Sequence, residues 1–244
     1  MLTMNNARPD FENADLKVAV LPIGAVEQHG SHLPVGTDTM ISSEMAARVA
    51  ERLGAYLLPP VAISSSIEHR SAKGTVYLKA TTLALVVRDI AECLHEAGYE
   101  KLILINGHGG NWILKPTIRQ LNRDLSGLET VLIHTSAGAE RQQVVVDHKH
   151  HDIHAGEKET SIMLHLRPEL VGQVKELNDK QFQLQDYMDY FDVMDLSEDG
   201  YWGFPESGTV EKGAKLMDIM VDGALQYLER LEAYHAKVRE RKGE

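Results

Sequence analysis

Residues 21–39 read LPIGAVEQHGSHLPVGTDT, crowding Glu27, His29, His32 and Asp38 among glycines and prolines directly behind an apolar run. Carboxylate plus imidazole is the mixed oxygen and nitrogen donor set that suits Zn²⁺, Mn²⁺ or Fe²⁺, and one carboxylate can bridge two such ions. In an extended chain alternate side chains share a face, so Glu27 and His29 point the same way. Gly30, Pro34 and Gly36 let the loop fold His32 and Asp38 back toward them. Asp38 also stands just ahead of a helical pattern, where it could simply cap the helix. One segment does not complete a metal shell, so other parts of the chain must supply the remaining donors.

Three further stretches carry suitable residues. NGHGGN, residues 106–111, surrounds His108 with glycines that permit close approach, ahead of a helix N-terminus with free N–H groups. It is not a phosphate-binding P-loop, because the terminal Lys-Ser/Thr pair is absent. HAGEKETS, residues 154–161, opens another helix with His154, Glu157 and Glu159. The two glutamates lie two residues apart, and at about 100° per residue they diverge by roughly 200°, so only one faces a common site. Residues 64–75 bring Ser64, Ser65, Ser66, Glu68 and His69, which could line a polar pocket. Asp147, His148, His150, His151 and Asp152 crowd residues 136–153, but a solvated loop or lid explains them without a metal.

The elements that must position these residues alternate. Apolar, β-branched runs at 16–23, 56–63, 101–105 and 129–134 read as strands. Amphipathic helical patterns follow from residues 37, 81 and 112, and the HAGEKETS helix stops before Pro168. Such alternation predicts an α/β fold with a mostly parallel sheet and helices on both faces, where ligands bind outside the carboxyl ends of the strands. Glu27, His29, Asp38, His108 and the 154–159 segment all fall at that edge. A last helix is predicted from residue 209 to about 234, trailing into a charged KVRERKGE that is expected to be frayed or solvated. Between them, residues 178–207 lack periodicity; aromatics such as Phe182, Tyr190 and Trp202 suggest packing against a pocket or a neighbouring subunit.

Bulk properties narrow the partners. The 244 residues carry a formal net charge of -11, which argues against nucleic acid or an anionic membrane and for a small-molecule substrate. No apolar stretch approaches a bilayer-spanning length and the first residues lack a signal-peptide pattern, so a cytoplasmic location is expected. The single cysteine, Cys93, excludes an internal disulfide and is expected to be buried beside Ile90, Leu94 and Ala97. No repeat or low-complexity linker interrupts residues 1–244, which are read as one domain.

Taken together, EQHGSHLPVGTD, NGHGGN and HAGEKETS resemble in order and spacing the signature blocks of the creatininase family of metal hydrolases. The likeness covers essentially the whole chain, including GFPESGTVEKG before the last helix. It implies a three-layer α/β/α sandwich, two divalent ions drawn from Zn²⁺, Mn²⁺ or Fe²⁺, and frequently a homohexamer. By position, the resemblance has Glu27 and His108 bind one ion, His29 the other, and Asp38 bridge both. Creatininase itself carries a further carboxylate two residues after its histidine, where this chain has Gly110; members with NGHGGN use the glutamate of E-T-S, here Glu159. His154 matches the family's acid/base histidine. Glu68, His69 and Glu157 are assigned to substrate contacts, and His32 either to a substrate contact or to a place behind the ligands.

Ile153 stands where creatininase has a glutamate, and residues 136–153 contain no counterpart of its substrate-gating tryptophan, so creatinine is not the expected substrate. The expected activity is hydrolysis of a small cyclic amide, lactam or formamide by a metal-activated hydroxide. Two alternatives stay open: C–C hydrolysis of a cyclic ketone or diketone such as an inosose, and a non-catalytic metal- or ligand-binding protein.

Overall fold

A computed structural model of the chain describes residues 1–148, 152–174 and 185–243. His150, His151 and Phe182 lie outside the described residues. Five strands, β1 (Leu2–Thr3), β2 (Val18–Ile23), β3 (Tyr56–Leu57), β4 (Lys101–Asn106) and β5 (Glu129–His134), pair in the order β1-β3-β2-β4-β5. Every pairing is parallel, and Ile23, Asn106 and His134 stand level at the carboxyl edge. The helices in chain order are α1 (Arg8–Asn13), α2 (Thr37–Leu53), α3 (Ala80–Glu96), α4 (Leu114–Asp124), α5 (Ala139–Val145), α6 (Glu157–Leu166), α7 (Val193–Leu196) and α8 (Val210–Lys242).

The period-2 alternation of the strands divides the core. Val20, Ile103, Ile105, Val131 and Ile133 face Ile41 and Met45 of α2, Ile162 of α6 and Met217 of α8. Ala19, Leu21, Ile23, Leu102 and Leu104 face Leu83 and Val87 of α3 and Leu114 and Leu121 of α4. Both sheet faces are covered, which is why the strands are near-continuous apolar runs and the architecture is a three-layer α/β/α sandwich. Residues such as Leu21, Ile103 and Leu104 are almost fully buried, each worth about 1.5–3 kcal/mol over exposure.

Strand order locates the crevice. From β2 the chain crosses by α2 to β3 on one side, then by α3 to β4 on the other side of β2. The connections depart to opposite faces, so the carboxyl ends of β2 and β4 open onto a gap between them.

Several sequence expectations change. The predicted strand at 56–63 ends at Leu57, since Pro59 and Pro60 lack the N–H a ladder needs, although Val61 still donates to the Pro22 carbonyl. The two-residue β1 was too short to read. The 136–153 stretch is not all loop but contains α5. Residues 237–242 are solvated but helical: α8 continues to Lys242, with Arg239, Arg241 and Lys242 complementing the helix's negative end. Cys93 is exposed rather than buried, because the buried stripe of α3 runs through Leu83, Val87, Ala91 and Leu94, and Cys93 lies roughly 200° around the helix from Ala91.

Candidate metal centre

The first turn of α2 brings a carboxylate to the crevice. A Cβ on Gly24 would overlap the Thr39 backbone, and one on Gly107 would lie 2.7 Å from the Asp38 carbonyl oxygen, so glycine at both strand ends lets the helix approach. The N-cap of α2 is Gly36, and the Asp38 side chain does not cap. Asp38 Oδ1 instead lies 3.1 Å from His29 Nε2, and Oδ2 lies 3.1 Å from His108 Nδ1.

Around that carboxylate the other donors gather. His29 Nδ1–H donates to the Glu27 carbonyl at 3.1 Å, which turns Nε2 toward Asp38 Oδ1 and, at 3.8 Å, Glu159 Oε2. His108, carried by the turn after β4, has Nε2 3.1 Å from Glu27 Oε2. His154 reaches in from the strand-like pairing of residues 154 and 202, with Nδ1 3.7 Å from Glu27 Oε1. Ala155 is the one non-glycine at positive φ among the described residues (49°), and its N–H donates to Glu159 Oε2 at 2.6 Å. Donor atoms of His29, Asp38 and Glu159 lie within 4.8 Å of one another, as do those of Glu27, His29 and His154.

This arrangement fits divalent cations. Glu27 is fully buried, yet neither of its carboxylate oxygens has a hydrogen-bond partner, and Asp38 Oδ2 has none either. Buried carboxylate oxygens left without hydrogen bonds are costly unless a cation takes their lone pairs. Imidazole nitrogens at about 3 Å without hydrogen-bond alignment have the donor chemistry of a Zn²⁺, Mn²⁺ or Fe²⁺ shell.

The charges are strongly coupled. Burial opposes a charged His29, but the carboxylates of Asp38, Glu159 and Glu27, with Asp38 foremost, together outweigh it and push its pKa up to about 10. Burial likewise works against the Asp38 carboxylate, and His29 holds it well below the usual range. Burial raises Glu159 to about 7 against the pull of His29. Burial, reinforced by the charge on His29, keeps the His154 imidazole neutral, well below its ordinary pKa.

The residues assigned to substrate contacts divide. Glu68 and His69 line a cavity of about 750 Å³ together with Glu27, His108, His154 and Trp112. His69 Nε2 lies 3.4 Å from Glu27 Oε1. His32 is not in that lining: it is buried behind the cluster, its Nε2 3.0 Å from Thr160 Oγ1 on α6, and burial lowers its pKa to about 4. Glu157 is likewise no substrate contact. Its buried carboxylate accepts N–H groups of Asp147 and His148 and pairs with Lys212 Nζ at 2.6 Å, because the turn of α6 that points Glu159 inward points Glu157 toward α8.

Sequence reasoning passed over Gln28. Strict alternation turns it away from the faces of Glu27 and His29, but this segment is a loop. Gln28 Nε2 lies 2.9 Å from His69 Nδ1, and the Gln28 carbonyl accepts from His154 Nε2–H at 2.9 Å. Its position between two donor residues was the available signal. A second chamber of about 240 Å³, lined by His134, Gln142 and Lys158, adjoins His108 and Glu159 on the β5 side.

The chain matches the Creatininase family, described as creatinine amidohydrolase, over residues 4–228. The mycofactocin precursor peptide peptidase of Mycobacterium ulcerans (strain Agy99) is 29% identical, over 86% of this chain and 84% of its own. The creatinine amidohydrolase of Pseudomonas putida is 28% identical, over 84% of this chain and 86% of its own. Among solved structures, a tryptophan-to-phenylalanine variant of creatininase superposes with a TM-score of 0.79 at 25% identity, covering 94% of this chain and 98% of that one.

Proposed function

The chain belongs to the creatininase family of hydrolases, and on that footing we propose that it uses two divalent ions to hydrolyse the C–N bond of a small cyclic amide, lactam or formamide. The observation that carries this reading is the double orientation of Asp38, whose two oxygens face two different imidazoles at 3.1 Å, as a bridging carboxylate requires. Glu27 and His108 would hold one ion, His29 and Glu159 the other, and Asp38 both. When bound, such ions polarise a carbonyl oxygen and lower the pKa of a water toward neutrality.

The protein's own groups then handle the proton. His154 is neutral, so Nδ1 can take a proton from the attacking water and return it to the leaving nitrogen. The Gln28 carbonyl holds Nε2–H and thereby keeps Nδ1 turned inward. His69 on the cavity wall is available to orient the substrate.

A second reading within the same chemistry has a peptide as the substrate. The cavity of about 750 Å³, with exposed Trp112 and Ile67 at its rim, is roomier than a single small ring needs, and relatives of the chain are named peptide peptidases. Metal-reconstituted protein tested against lactams, formamides, short peptides and inososes, with mass spectrometry of the products, decides between them. Free amine or formate supports C–N hydrolysis; an acid product alone indicates C–C cleavage; inertness to every substrate favours a binding protein.

Residues 1–244 are read as one domain that assembles as a homohexamer in the cytoplasm, acting on a small molecule rather than on nucleic acid or membrane. No helix among the described residues is long and apolar enough to cross a membrane. Light scattering on the purified protein tests the assembly.

A further inference from the structure

Glu68 sits in the short 3-10 turn Ile67–His69 after β3, and its Oε1 reaches to 3.2 Å from His108 Nε2. It gets there because residue 110 is glycine. A Cβ at that position would overlap Glu68 Oε1 and His108 Nε2 and lie 2.8 Å from Glu68 Cδ. Three carboxylates therefore ring one imidazole: Asp38 at Nδ1, and both Glu27 and Glu68 at Nε2. Even a doubly protonated imidazole has only two N–H groups and so cannot serve all three. The fully buried Glu27 oxygens are left without hydrogen bonds, and donor atoms of Glu27, Glu68 and His108 lie within 4.8 Å of one another.

From this geometry we infer that Glu68 is a metal ligand rather than a substrate contact, completing with Glu27 and His108 the shell of one ion in the space that Gly110 leaves open. The inference rests on the two-ion reading above and adds a donor to it.

The test is metal titration of the metal-free protein with Zn²⁺ by calorimetry and with Mn²⁺ by electron paramagnetic resonance, on wild type, Glu68→Gln and Gly110→Ala. Circular dichroism of the metal-free proteins checks that each variant folds. The expected result is two ions in wild type and, in each variant, at least a tenfold weakening at one ion with the other retained. Wild-type affinities for both ions in Glu68→Gln would overturn the inference and leave the two-ion reading standing. A wild type that binds a single ion overturns the two-ion reading, and the affinity of Glu68→Gln for that ion then decides the role of Glu68. A wild type that binds no divalent ion overturns both.

Discussion

His154 Nε2–H donates to the backbone carbonyl of Gln28 at 2.9 Å, so the nitrogen turned toward Glu27 is Nδ1, 3.7 Å from Oε1. A backbone partner cannot be removed by mutation, so the tautomer is built into the loop. Replacing His154 by Asn should leave metal content intact and lower kcat by about 10²–10⁴-fold, the usual contribution of a general acid–base group. Metal analysis beside steady-state kinetics checks this. Loss of an ion would show instead that His154 is a ligand, since its donor atom also lies within 4.8 Å of those of Glu27 and His29.

Metal uptake should release protons. In the metal-free protein His29 is held protonated, its pKa raised from 6.5 to about 10 chiefly by Asp38 working against burial. A raised pKa stabilises the metal-free fold fully below about 6.5 and loses that stabilisation as pH rises through about 10. A metal competes with that proton, so apparent affinity should rise with pH across 7–9. Calorimetry in buffers of differing ionisation enthalpy reports the protons released.

Chelation should also lower thermal stability. Without cations, Glu27, Asp38 and Glu159 crowd together around the His29 and His108 imidazoles. Restoring metal at a thousand times its Kd stabilises the fold by about 4 kcal/mol. Differential scanning calorimetry with and without chelator measures the shift.

Lys212 should matter for stability alone. Its Nζ pairs with the fully buried Glu157 at 2.6 Å and with the exposed Asp147 at 2.7 Å. Lys212→Met strands the Glu157 carboxylate inside the protein, and breaking a buried pair from one side costs about 3–5 kcal/mol. Asp147→Asn should leave Tm unchanged. Denaturant unfolding of both variants, with metal content unaltered, is the expected pattern.

Cys93 should react as an exposed thiol. A disulfide exchange reagent added to native protein should titrate one equivalent without denaturant and without loss of circular dichroism signal.

Local sequence determined the elements and the edge where the chemistry lies. The strand at 129–134 was legible to the residue because its β-branched run is bounded on both sides, and the strand before NGHGGN runs one residue past the expected 101–105, to Asn106. The blocks around Glu27 and His108 were legible because each follows directly on a strand's carboxyl end, whereas His154 comes after α5 and is brought to the same edge by its pairing with Trp202. What the sequence could not determine was phase. Periodicity said that Glu157 and Glu159 diverge, but only the docking of α6 on α8, through Lys212, decided which points inward. The same rotation about a helix axis exposed Cys93, and loop geometry turned the buried His32 away from the cavity to Thr160 and Gln28 inward to two histidines. Glu68 and Gly110 lie 42 residues apart, and the space they contest exists only once β3 and β4 flank β2. Hydrophobic period is a local property of the chain; which side chains share a volume across strand ends is set by long-range packing, and tertiary structure alone decides it.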